Sequence, residues 1–150
     1  ADTVAKGLAD CVLPGMRMKI SELNCVTWIN DAYNASPESV KAALQWLSEF
    51  TVQKSMILAL GDMLELGKAS TDEHRQVLQK AFSLFQESTF ILVGEHMQAA
   101  SNGLNIPPNA TFCANSSLAA QQLATLAVPG KTVFLKASRG IHLENAVPEK

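Results

Sequence analysis

Two polar stretches hold the side chains suited to binding a ligand. Asn30-Asp31-Ala32-Tyr33-Asn34 stands between an apolar run at residues 25–29 and a helix start at Ser36-Pro37. Lys136-Ala137-Ser138-Arg139 follows a strand pattern at residues 131–136. Polar groups at the carboxyl end of a strand, facing a helix start, occupy the place where open α/β sheets bind ligands. The helix start favours anions. Lys-x-Ser-Arg behind a buried strand makes an anion clamp through charge-assisted hydrogen bonds. Plainer readings stand beside these: Asp31 and Asn34 serve the turn, and Lys136 and Arg139 are surface charges. Arg17 is either an exposed strand charge or an anion ligand.

The elements around these stretches follow from local pattern. Ser36 is a good N-cap and Pro37 suits the first helical position. Val40, Ala43, Leu44 and Leu47 then form a helical stripe that faces the core, with Trp46 and Phe50 at its edges. Residues 16–20 alternate around Arg17 and Lys19 as a half-exposed strand. Residues 21–24 turn that strand back into residues 25–29 as an antiparallel pair. Residues 56–60 are continuously apolar, as in a strand buried on both faces. They end in Gly61-Asp62-Met63-Leu64-Glu65-Leu66-Gly67, a loop with glycines for tight turns and solvated carboxylates at Asp62 and Glu65. Ser70-Thr71-Asp72-Glu73 reads as a capping box, opening a helix through Val77, Leu78, Ala81, Phe82 and Phe85.

Further strands are predicted at residues 90–93, 111–114 and 131–136. A short helix is expected at residues 95–101, another after Asn115 or Ser116, and a last one near Ile141. Residues 1–15 read as a linker segment and residues 16–150 as one domain. The alternation of strand and helix predicts a doubly wound, mainly parallel Rossmann-like α/β sheet, with residues 16–20 as an antiparallel edge strand.

Composition narrows the function. The chain has 150 residues, 47% hydrophobic and 17% charged, which suits one folded domain. A formal net charge of −2 argues against a nucleic-acid-binding surface but permits a local nucleotide site. Cys11, Cys25 and Cys113 show no metal spacing and read as small buried groups in a reducing compartment. No signal-peptide order and no run long enough to span a membrane is visible. The sequence contains neither a Gly-x-x-x-x-Gly-Lys-[Ser/Thr] phosphate loop nor a Gly-x-Gly-x-x-Gly turn. A chain that binds nucleotide unaided normally has one of them.

The run from Asn30 to Val40 resembles the signature that opens the C-terminal domain of the Mur ligases. The Gly61–Gly67 stretch resembles a second signature of that family, and Lys136-x-Ser138-Arg139 a third. The family pattern has glycine where this chain has Ala137. If that glycine serves a positive φ, Ala137 is strained; if it serves only space, alanine is acceptable.

The closest type adds D-alanyl-D-alanine to UDP-N-acetylmuramoyl-tripeptide in the cytoplasm, through an acyl phosphate made with ATP and Mg2+. The resemblance implies that Arg17, Asp31, Tyr33 and Asn34 face the nucleotide. His74, Lys136, Ser138 and Arg139 then face the peptide substrate. It further implies that the lysine and metal ligands of the phosphate site lie in a central domain that this chain lacks. On that reading the isolated chain is inactive, binds no cofactor or metal alone, and partners the N-terminal and central domains of the same enzyme. Other readings are the ligase adding the third amino acid, a folylpolyglutamate synthetase, and a flavodoxin-like or receiver-like module without catalysis.

Overall fold

The computed structural model describes residues 2–11 and 18–148. In chain order they form α1 (Asp2–Asp10), β1 (Lys19–Leu23), β2 (Val26–Asp31), α2 (Pro37–Phe50), β3 (Met56–Gly61) and α3 (Ser70–Leu84). Then come β4 (Thr89–Val93), α4 (Glu95–Ala100), β5 (Ala110–Cys113), α5 (Ser116–Leu126) and β6 (Thr132–Lys136). The sheet runs β1-β2-β6-β3-β4-β5. The β1–β2 pair is antiparallel and every other pair is parallel. This is the expected doubly wound sheet with one antiparallel edge.

The strand order dictates the layers. Helix α2 carries the chain from β2 across β6 to β3, and α3 and α4 step outward to β5. Helix α5 returns the chain from β5 to β6, in the opposite direction. Right-handed crossovers in opposite directions lie on opposite faces. One core accordingly packs Leu44 and Leu47 of α2, Leu78 of α3 and Met97 of α4 against Leu58, Leu60 and Phe134. The other packs Ala119 and Leu123 of α5 against Ile57, Ala59 and Val133. The alternation Ile57/Leu58/Ala59/Leu60 across the two cores is the two-residue period of a strand buried on both faces.

The α2 start is as expected. Ser36 Oγ accepts from Ser39 N at 3.1 Å, and Ser39 Oγ accepts from Ser36 N at 2.9 Å. Asn115 Oδ1 likewise caps α5 by accepting from Leu118 N at 3.0 Å.

Four local expectations need correction. Among the described residues the first strand is Lys19–Leu23, which runs past the expected end at residue 20 because the reversal is a two-residue turn at Asn24 and Cys25; residues 16 and 17 lie outside the described residues. Both turn residues sit at positive φ, 53° and 63°, which a tight hairpin requires. Cys25 is therefore exposed at a turn instead of buried in a strand. The capping box at Ser70 is absent. A 3-10 turn, Gly67–Ala69, leads directly into α3, so Ser70 is already helical and Ala69 occupies the cap. The final helix is replaced by two 3-10 turns, Arg139–Ile141 and Leu143–Ala146. Residues 2–10 of the segment read as a linker form α1, whose Leu8 joins the core. Trp46 Nε1 donates to Cys11 O at 2.8 Å and ties the end of α1 to α2.

Ala137 is fully buried and does not take positive φ, so space and not backbone strain governs this position. Its neighbour is Gly61, where an added Cβ would stand 2.6 Å from the Ala137 Cβ. Gly61→Ala is expected to cost about 1–3 kcal/mol by overpacking a buried strand end. Ala137→Gly in the same chain should recover most of the loss. Thermal unfolding of the single and double variants checks this, and a Gly61→Ala melt that matches wild type would contradict it.

Candidate functional site

The site lies where the chain leaves β2 and β6. These neighbours are parallel, with Asp31 in register with Lys136, yet their outgoing connections pass to opposite faces of the sheet. That divergence opens a crevice at the carboxyl ends of the strands. Both polar stretches singled out in the sequence meet there.

Asp31 and Lys136 are spent on each other. Lys136 Nζ lies 2.6 Å from Asp31 Oδ2 and donates to Asn34 O at 3.1 Å. Asp31 is 6% exposed and Lys136 4%, so neither offers a free charge to a ligand. Burial pushes the Asp31 carboxyl above its ordinary value, and the ammonium beside it pulls the other way. Lys136, expected to face substrate, instead holds β6 to the β2–α2 turn. The turn also secures itself. Asn30 Oδ1 accepts from Ala32 N at 3.0 Å, and Asn34 Oδ1 accepts from Ala35 N at 2.9 Å. Asn34 remains exposed.

Tyr33 and Arg139 face outward. Tyr33 is 51% exposed, and the Arg139 guanidinium lies over its ring, 5.2 Å from the centroid. Stacking fixes the plane of the guanidinium and leaves its N–H edge open. That guanidinium makes no hydrogen bond or ion pair among the described residues. Both side chains line an open cleft of about 700 Å³ with Met18, Lys19, Asn30 and Glu144. The volume suits a small organic ligand. Arg17 lies outside the described residues.

Ser138, His74 and Asp62 secure the loop that follows β3. Ser138 Oγ accepts from Leu64 N at 2.7 Å, and Ser138 N donates to Asp62 O at 3.0 Å. His74 Nε2 accepts from Met63 N at 2.9 Å, so the ring proton sits on Nδ1, 2.6 Å from Ser70 O. His74 is 0% exposed and stacks on His96 at 5.4 Å. It was expected to touch substrate, but both its nitrogens serve the protein. Asp62, expected in solvent, is 3% exposed and accepts from His96 N and Met97 N at 3.1 and 2.8 Å. It caps α4 from the β3 loop. Gly94, at φ 110°, makes room for that carboxylate: an added Cβ would lie 2.3 Å from it.

Burial lowers the His74 pKa from its ordinary 6.5, because the charged ring would be poorly solvated. The unfolded chain therefore takes up this proton first as pH falls. The His74 contribution to stability is full above pH 6.5 and lost below it. The melting temperature should drop between pH 7.5 and 5.5, with a slope of at most about 1.4 kcal/mol per pH unit from this group. His74→Gln keeps an acceptor without the titration and should flatten that slope. An unchanged slope would assign the effect elsewhere.

Glu144 and Met18 escaped the sequence reading. Glu144 lies where a helix was expected, and nothing local marks it. Lys19 and Asn30 were visible as polar positions, but only the β1–β2 hairpin places them beside Arg139.

Residues 16–139 match the family model described as Mur ligase, glutamate ligase domain. The chain is 30% identical over 157 residues to the UDP-N-acetylmuramoyl-tripeptide--D-alanyl-D-alanine ligase of Bacillus subtilis, covering 99% of this chain and 33% of that protein. It is 30% identical over 143 residues to the protein of the same name from Rickettsia prowazekii, covering 95% and 31%. A crystal structure of MurF from Acinetobacter baumannii superposes with TM-score 0.74 and 26% identity, over 94% of this chain and 31% of that one. MurF from Thermotoga maritima in complex with ADP has the same fold, with TM-score 0.70 and 23% identity over 90% and 30%. The chain thus spans about a third of the length of the curated relatives it matches. It belongs to the Mur ligase family, as a glutamate ligase domain.

Proposed function

We propose that this chain is the C-terminal domain of a three-domain, ATP-dependent ligase of peptidoglycan precursor synthesis in the cytoplasm. The ligase adds D-alanyl-D-alanine to UDP-N-acetylmuramoyl-tripeptide. The observation that carries this reading is the Arg139 guanidinium, held over Tyr33 in an open cleft at the crevice of the sheet. A planar cation with a free edge is suited to a carboxylate or a phosphate. The names of the Bacillus and Rickettsia relatives supply the substrates.

The chemistry joins a carboxylate, activated by ATP as an acyl phosphate, to the amine of the dipeptide. The work of this domain is positioning and charge stabilisation. Tyr33 offers an exposed ring and Asn34 an exposed amide to the nucleotide, and the family resemblance assigns Arg17 to the same ligand. Asp31 and Lys136 act from behind by holding the two loops in register. Ser138 and His74 hold the Gly61–Gly67 loop. Among the described residues no three His, Cys, Asp or Glu side chains converge on a metal position. The buried carboxylates of Asp31 and Asp62 are already bonded. The family resemblance assigns Mg2+ and the phosphate-loop lysine to a central domain of the same enzyme. No helix among the described residues is long and apolar enough to cross a membrane.

The test is ligation by the purified enzyme that contains this chain. With ATP, Mg2+, UDP-N-acetylmuramoyl-tripeptide and D-alanyl-D-alanine it should form the pentapeptide and release ADP and phosphate. The isolated 150-residue chain should release neither. A full-length enzyme that uses a single amino acid and ignores the dipeptide would overturn the assignment.

A further inference from the structure

The cleft beside Arg139 contains an acid as well as cations, and that acid is incompletely bonded. Of the lining side chains, Lys19 and Arg139 are positive and Glu144 is negative. Glu144 Oε1 is 3.6 Å from His142 Nδ1, beyond hydrogen-bond reach. Glu144 Oε2 is buried and has no hydrogen-bond partner among the described residues, while the side chain as a whole is 42% exposed. A buried carboxylate oxygen left without a donor loses its water and gains nothing in return. The exposed part of the side chain lines the cleft, where a donor carried by a ligand can complete it.

The ligand chemistry follows from the charges. Arg139 and Lys19 suit a carboxylate, and Glu144 suits an ammonium. A small zwitterion satisfies both ends. Glu144 follows Arg139 by five positions, past the left-handed residue His142, and both side chains line the cleft.

We propose that Glu144 holds the α-ammonium of the incoming dipeptide while Arg139 holds its terminal carboxylate. This rests on the ligase reading above and names the residue that recognises the nucleophile end. Glu144 is a binding residue here, and the step it serves is orientation of the amine before attack.

Steady-state kinetics of the full-length enzyme test it. Glu144→Gln keeps the shape and removes the charge. The KM for D-alanyl-D-alanine should rise roughly ten- to a hundredfold, the value of one charge-assisted hydrogen bond. The KM for ATP and for UDP-N-acetylmuramoyl-tripeptide should stay at wild-type values, and Glu144→Asp should recover part of the loss. N-propionyl-D-alanine, which lacks the ammonium, should inhibit wild type and Glu144→Gln equally and weakly. Equal weakening of the dipeptide and N-propionyl-D-alanine in Glu144→Gln would mark a packing role and overturn the proposal. So would an unchanged dipeptide KM. If Glu144→Gln does not fold, wild type alone decides, because binding N-propionyl-D-alanine as tightly as D-alanyl-D-alanine excludes any ammonium contact. A wild-type enzyme that does not use D-alanyl-D-alanine at all fails the ligase reading itself, a separate outcome.

Discussion

Lys136→Met should lower the stability of the domain by about 3–5 kcal/mol, because it leaves the Asp31 carboxylate buried and unpaired. For a chain of this size that is a fall of about 10 °C in melting temperature. The ammonium is the nearest cation to a carboxylate that is only 6% exposed. It also holds the Asn34 carbonyl, so the β2–α2 turn loosens with it. Two further measurements separate this cause from a simple packing defect. Asp31→Asn together with Lys136→Met removes the orphan charge and should recover a large part of the loss. The pH dependence contributed by Asp31 should also steepen. Burial already raises the Asp31 carboxyl above 3.8, and without Lys136 nothing opposes that rise. A group whose folded pKa is raised binds its proton more readily in the folded state. Lys136→Met should therefore regain stability relative to wild type as pH falls toward 3.8. A variant whose loss of stability is the same at neutral and acid pH would point to a cavity.

Arg139 should behave in the opposite way, with a large kinetic effect and little effect on stability. Its guanidinium is exposed and stacked on Tyr33, with no ion pair among the described residues. In the full-length enzyme Arg139→Lys should reduce kcat/KM for the dipeptide by roughly ten- to a hundredfold, since an ammonium cannot reproduce the two parallel bonds of a guanidinium. Arg139→Ala should lose at least as much. The melting temperature should stay near wild type, because exposed charges contribute little to folding. The contrast is the point: two cations three residues apart in one motif, one structural and one free. Unchanged kinetics for both Arg139 variants would remove the guanidinium from the site.

How much of this was legible in the sequence depends on how local each cause is. Ser36, Pro37 and Asn115 act within a few residues of themselves, and their helices begin where the sequence says. The continuous run at Met56–Leu60 reads as a doubly buried strand because no polar residue interrupts it. Where two local patterns compete, reading fails. The alternation around Lys19 fits two strand registers, and only pairing with β2 selects one. Ser70 has the composition of a cap, but the 3-10 turn before it has already begun the helix.

By itself the sequence determined the order of elements from β2 to β6, the sheet class and the two polar loops at one edge. Periodicity, caps and turns are written in neighbouring residues. It also marked Tyr33 and Arg139 as members of those loops. The tertiary structure alone decided which charges are free. Asp31 and Lys136 are 105 positions apart and meet only because β6 inserts beside β2. Asp62 and His74 look like loop and surface residues until β4 and α4 close over them. Glu144 acquires a meaning only once the final turns fold back against the β1–β2 hairpin. A side chain's burial and partners are set by strands distant in sequence. Whether a polar residue holds the scaffold or meets a ligand is therefore fixed by strand order, which local sequence does not encode.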